Sequence, residues 1–262
     1  MQFVSEDMLN KVINSAYINF LNFEQNVIYS LDNEVPNDVD AEASYLGRWI
    51  FIELFKKNGR FYKIDYSGTT ISRNDEKWSF DVMNNPKPHP KNAYRLGSIA
   101  KKNNIDISSW TEIYRTIGNF TPIPNVKRGR HLQHKHNDLA ERWDFLLGYC
   151  EKNWSEFNLE DISFVEYMKL SVQQMYFQDV YNDYCEKIKG YNLNEVSDEK
   201  ILEWLIEWND MISDKSEIIS FGEKITDLPI KDIAEKICSL IMLRSRIIIA
   251  LLKSDIYMFA KI

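Results

Sequence analysis

The run "ICSLIMLRSRIIIALL", Ile237 to Leu252, sets Arg244, Ser245 and Arg246 in the middle of an otherwise apolar stretch. A bilayer core takes about 20 apolar residues per helix, and arginines at its centre are costly. The run therefore predicts an amphipathic helix buried in a globular core, with no membrane partner. Such a core needs other elements around it, and the rest of the chain can supply them. Only 9 Gly and 7 Pro fall in 262 residues, which favours long regular elements over a turn-rich sandwich. Aromatic residues make up 13% of the chain, well above what disordered segments carry.

Helical patterning recurs along the chain. Ser5 caps a first predicted helix through Phe23, and Asp40 caps a second that runs to Gly59, behind two lysines. Ser109 with Glu112, Asp138 with Glu141, and Ser163 with Glu166 each have the spacing of a capping box. The last of these predicts one helix from Phe164 to Gly190. Ser197, followed by Asp198 and Glu199, predicts another, and Asp227 with Pro229 opens the one that contains the apolar run. Between Arg60 and Ser72 apolar and polar residues alternate around Ser67-Gly68, so a hairpin is expected, with "KWSFDV" as a third short strand. "NNPKPHPKN" (84–92) reads as a loop and "TPIPN" as a rigid turn. The expectation is a mainly α fold: six to seven helices in one bundle-like domain over 1–262, a small β-hairpin element near 60–82, and a sub-division point near 84–92.

Net charge is −7, and an acidic chain does not advertise general affinity for nucleic acid or membranes. Cys150, Cys185 and Cys238 lie far apart, without zinc or CxxC spacing, so they read as reduced, packed thiols. The opening residues lack a basic segment followed by an apolar run, so a cytoplasmic location is expected. Trp110, Tyr114, Trp143, Trp154, Trp204 and Trp208 recur at helical spacing and read as core. Arg142 and the acids beside it in "ERWD" read as surface pairs, worth little. No phosphate-cradling glycine loop, nucleophile elbow or metalloprotease motif is present, and neither cofactor nor metal is expected.

One segment suggests chemistry. "NVKRGRHLQHKH" (125–136) holds three of the four histidines and four cations, with no acid. Lys127, Arg128, Arg130 and Lys135 can contact phosphate, and the strip leads into the start of a predicted helix, whose free N–H groups favour anions. The histidines His131, His134 and His136 have HxxH and HxH spacings, which suit different backbone conformations, and flanking cations repel a metal ion.

Arg130 and His136, separated by five residues, resemble the R-x(4–6)-H motif of the HEPN helical domains, many of which are metal-independent ribonucleases. That resemblance implies Arg130 as phosphate clamp, His131 as its polar neighbour, His136 as acid/base, RNA as substrate and a homodimer around the site. Arg128 and His134 repeat the spacing. A second resemblance lies in "IGNFTPIP" (117–124) and "ERWDFLL" (141–147), similar to a family of bacterial proteins of unknown function that share an IGNF-x-P-[IL]-P turn. It covers about 110–190 and assigns no activity. The expected function is binding, of a protein or a phosphate-bearing ligand; the alternative is a ribonuclease of a toxin or phage-defence system.

Overall fold

The structure, a computed structural model, describes residues 45–64, 70–88, 95–125, 142–157, 159, 161–220 and 229–254. The predicted first helix, the Ser67-Gly68 turn and the Asp138–Glu141 box lie outside them. Among the described residues there are eight α-helices and a four-stranded antiparallel sheet. The chain is therefore a helix-rich mixed α/β fold, which corrects the expected mainly α bundle.

Helix α1 (Tyr45–Lys57) ends as its sequence predicts. Gly59 takes a φ of +73°, and the Gly59 and Arg60 N–H groups donate to the Lys56 and Phe55 carbonyls, so the last turn closes on itself. Strands β1 (Lys63–Ile64), β2 (Ile71–Arg73) and β3 (Glu76–Val82) follow in antiparallel order. On β3, Trp78 and Phe80 are buried while Lys77, Ser79 and Asp81 between them are not, the alternation of a half-covered sheet.

The fourth strand is what the sequence reading lacked. Phe120–Pro124, which takes in most of the turn expected at Thr121–Asn125, forms β4 against β3, with Asp81 opposite Thr121 and Ser79 opposite Ile123. Its two prolines stand at alternate positions on the side turned away from β3. The carbonyls on that side, from Phe120 and Pro122, accept instead from Arg244 Nη1 at 2.8 Å and Tyr167 Oη at 3.1 Å. Proline removes no ladder hydrogen bond there, and side chains cover an edge that would otherwise be bare.

Helices α2 (Leu96–Lys102) and α3 (Ser108–Ile113) lead to a 3-10 turn, Ile117–Asn119. The expected Ser109–Glu112 box is not formed: Ile107 is the N-cap and no side chain caps the helix. Helix α4 (Trp143–Lys152) begins after Arg142. The single helix expected from Phe164 to Gly190 is instead two, α5 (Phe164–Leu170) and α6 (Gln178–Lys187). Val172 between them has a φ of +55°, and a 3-10 turn spans Gln174–Tyr176. The Ser163–Glu166 box at the start of α5 is fully formed. Helix α7 (Asp198–Met211) is capped by Ser197 as expected.

The last helix, α8 (Ile230–Lys253), carries the apolar run through the middle of the molecule. It packs on the 3-10 turn at Ile117, on α7, on α3 and on α1. Gly118 lets it approach: a Cβ there would lie 2.0 Å from the Ile241 carbonyl oxygen. One hydrophobic cluster includes residues on both sides of 84–92, from Ile50 to Leu251. No described helix is long and apolar enough to cross a membrane.

Candidate functional site

Each sequence-predicted site residue, Lys127, Arg128, Arg130, His131, Lys135 and His136, lies outside the described residues, as do His89 and His134. The structure does place Asn125, the strip's first residue, and the chain again from Arg142, six residues beyond the strip's last. On one side Asn125 extends β4: its N–H donates to the Lys77 carbonyl at 2.9 Å, and its side chain accepts from Ser79 Oγ at 2.8 Å. On the other, the Trp143 N–H donates to Asn84 Oδ1 at 3.2 Å, at the first turn of α4. Asn84 in turn shares three hydrogen bonds with the Asn119 side chain, which also donates to the Tyr114 carbonyl. Asn125 and Trp143 are therefore held by β3 and the residues just after it. A buried asparagine pair with this many bonds is a rigid mount, since each unmade bond would leave a desolvated polar group.

Next to that mount, Arg142 forms an ion pair with Asp144, its Nε donating to Oδ1 at 2.8 Å and its Nη2 to Oδ2. Both side chains are buried, at 1% and 4% exposure, which corrects the reading of "ERWD" as surface pairs. The guanidinium also stacks 4.4 Å from the Phe145 ring centre.

Deeper in the molecule Arg244 is fully buried. It donates to the carbonyls of Gly118, Phe120, Ser171 and Val172, at 2.7 to 2.9 Å. Burial pulls the guanidinium below its ordinary range, to about 10, so it stays cationic at neutral pH. Tyr167, Gln173 and Thr121 continue the polar network beside it. The arrangement is a strut: it joins α8 to the 3-10 turn, to β4 and to the break between α5 and α6.

A separate cleft opens between α3, α6 and α8, with a volume of about 500 Å³. One wall is a stripe of α8, Lys231, Ala234, Glu235, Cys238, Ser239 and Met242, which recur at three- and four-residue spacing. Opposite stand Asp106 and Trp110, with Tyr184 between. The sequence held a signal for this face, because the stripe mixes polar and apolar residues, while Ile233, Ile237, Leu240 and Ile241 beside it face the core. Its meaning depended on α3 and α6 leaving that stripe uncovered, which spacing along one helix does not show. Burial pushes the Cys238 thiol up to about 11, with Glu235 adding to the rise, so it is a poor nucleophile at neutral pH.

All three cysteines are free thiols. Trp110, Trp143, Trp204 and Trp208 are core residues, as their spacing predicts, with Trp154 half-buried. Among the described residues no group of His, Cys, Asp or Glu is placed to hold a metal ion. No protein-family model, curated protein or solved structure matches the chain.

Proposed function

We propose that this chain acts by binding, in the cytoplasm, and that its ligand carries phosphate groups held by Lys127, Arg128, Arg130 and Lys135. One observation carries the reading: a chain of net charge −7 gathers four cations and no acid between Val126 and Asn137. Such a patch attracts a polyanion by releasing its counterions, whatever the rest of the surface does. The bonds at Asn125 and Trp143 support it, since they hold the chain on either side of residues 126–141, and a segment held at two points loses less freedom on binding than a tail.

The test is calorimetric titration of inorganic tripolyphosphate into wild type and an Arg128→Glu/Arg130→Glu variant. The reading expects saturable binding by wild type and at least a tenfold weaker Kd for the variant, about 1.4 kcal/mol. Equal binding by the two proteins removes the strip from the function. Cleavage of RNA by wild type, lost in His136→Ala, would replace binding with the ribonuclease alternative.

A further inference from the structure

The chain carries 39 Asp and Glu, yet residues 82–105 hold five Lys or Arg and no acid. Residues 113–137, which include the strip, hold another five and no acid, and only Asp106 and Glu112 fall between the two runs. Two cationic runs make one surface only if the fold brings them together. It does so at two places. Asn84, near the start of the first run, shares its hydrogen bonds with Asn119 in the second. Three residues on, Lys87 Nζ lies 5.6 Å from the centre of the Tyr114 ring, and Arg115 Cζ lies 5.5 Å from the same centre. Both distances are within cation–π reach, so one ring orients a cation from each run.

The backbone beneath these cations is fixed. Gly97 on α2 packs so closely that a Cβ there would lie 1.8 Å from the Pro86 carbonyl oxygen and 2.9 Å from the Lys87 carbonyl carbon. Residues 86–87 therefore rest on α2, and Lys101, one turn beyond Gly97, stands on the same side of that helix. Tyr114 is buried and its carbonyl accepts from Asn119, so the ring is a support for the cations and not a stacking surface. Arg95, also in the first run, is buried, whereas Lys87 and Lys101 are exposed and Arg115 is half-buried. The chain that follows the strip rejoins the fold at the same place, since the Trp143 N–H donates to Asn84.

We infer that Lys87, Lys101 and Arg115 form a second phosphate-contacting surface, and that its ligand is a single-stranded nucleic acid. The inference rests on the phosphate reading of the strip and names the ligand class for it. Cations carried on separate segments do not enclose one compact anion; they suit a chain of phosphates, each neutralised in turn. Side chains on a fixed backbone meet such a chain at little ordering cost beyond that of their own rotamers. With Tyr114 buried, contact is to phosphate and not to bases, so binding shows little preference among sequences.

Fluorescence anisotropy with oligouridylates of 4 and 16 nucleotides tests it, because the 4-mer is too short to span both surfaces. Seven phosphate contacts, at about −0.7 each, predict a slope of log affinity against log salt near −5 for the 16-mer, against about −3 for the 4-mer. Lys87→Glu/Lys101→Glu alters only exposed side chains, so the fold is retained. It should weaken 16-mer binding at least tenfold and flatten the slope by about 1.4, while inorganic tripolyphosphate binds as to wild type. Lys189→Glu/Lys215→Glu makes the same charge change at exposed positions beyond the ends of α6 and α7, and should weaken the 16-mer far less. Equal slopes for the two oligonucleotides, or equal losses in the two variants, overturn the proposal. So does a 16-mer that wild type fails to bind. A different result isolates the strip: if Arg128→Glu/Arg130→Glu leaves tripolyphosphate binding intact while Lys87→Glu/Lys101→Glu still weakens the 16-mer, the strip reading fails and this surface stands.

Discussion

Arg244 donates to the Gly118 carbonyl at 2.9 Å from a helix more than a hundred residues further along the chain, while the neighbouring Ser245 Oγ accepts the Gly118 N–H at 3.0 Å. Both polar groups of one glycine are thus held by two consecutive residues of α8. The same guanidinium serves Phe120, Ser171 and Val172, so three segments without regular helix are organised by one side chain.

Replacing it should cost more than any surface change. Arg244→Met fills similar volume but leaves four buried carbonyls without donors, at about 1–3 kcal/mol each before relaxation. Arg244→Lys keeps the charge but presents a point donor where a planar fork is required. The urea midpoint of both variants should fall, by a stability loss of roughly 3 kcal/mol or more for Met. A midpoint unchanged from wild type would mean that the strut does not support the fold.

Gly118→Ala tests the close approach of α8 separately. The added Cβ would meet backbone at Ile241, which cannot swing aside as a side chain can. Thermal unfolding should show a loss of roughly 2–4 kcal/mol, far beyond the ordinary effect of Gly to Ala at an open position. Gly148→Ala, in α4, where a Cβ meets nothing, is the control and should be neutral or slightly stabilising.

Stability should decline on the alkaline side. Burial holds the Cys150 thiol and the Tyr62 and Tyr176 hydroxyls up to about 12, with Glu76 also raising Tyr62. These groups ionise near 9 to 10 in the unfolded chain, so their stabilising contribution is complete below that range. It is lost as pH rises from there through the folded values. Urea midpoints should therefore drop between about pH 9 and 11, and Cys150→Ala should reduce the slope at the lower end of that window.

On the acid side Asp183 contributes in the opposite sense. It is partly desolvated, yet hydrogen bonds from Lys187 and from Trp208 Nε1 at 2.7 Å hold its carboxyl below the usual range. A depressed folded pKa gives stability that is present above the unfolded value and lost as pH falls through the folded one. Asp183→Asn should be less stable than wild type near neutrality, and the two unfolding curves should converge as pH falls below about 4.

Much of the helical framework was legible because its signals are local. Ser163 with Glu166, Ser197, and Gly59 behind two lysines each act within one turn of helix, and each is found where it was read. The sheet's fourth strand was not legible. Pro122 and Pro124 are turn signals unless their N–H side faces away from the partner strand, and that depends on Arg244 and Tyr167 arriving from elsewhere. The break at Val172 has the same origin: local pattern favours continuing the helix, and a distant arginine takes the carbonyls that continuation would use. Arg142 and Asp144 look like surface residues in sequence because nothing adjacent to them reveals the burial of both. The α3–α6–α8 cleft shares that difficulty, since Asp106, Trp110 and Lys231 meet only through the fold.

The most direct test of a phosphate-binding function is the salt dependence of binding to a short single-stranded RNA, followed by fluorescence anisotropy. Four phosphate contacts from Lys127, Arg128, Arg130 and Lys135 predict a slope of log affinity against log salt near −3, at about −0.7 per contact. Arg128→Glu/Arg130→Glu should reduce that slope to about half or less and weaken binding at every salt concentration. A wild-type slope near zero, or one that the double substitution leaves unchanged, would contradict the assignment of the strip as the binding element.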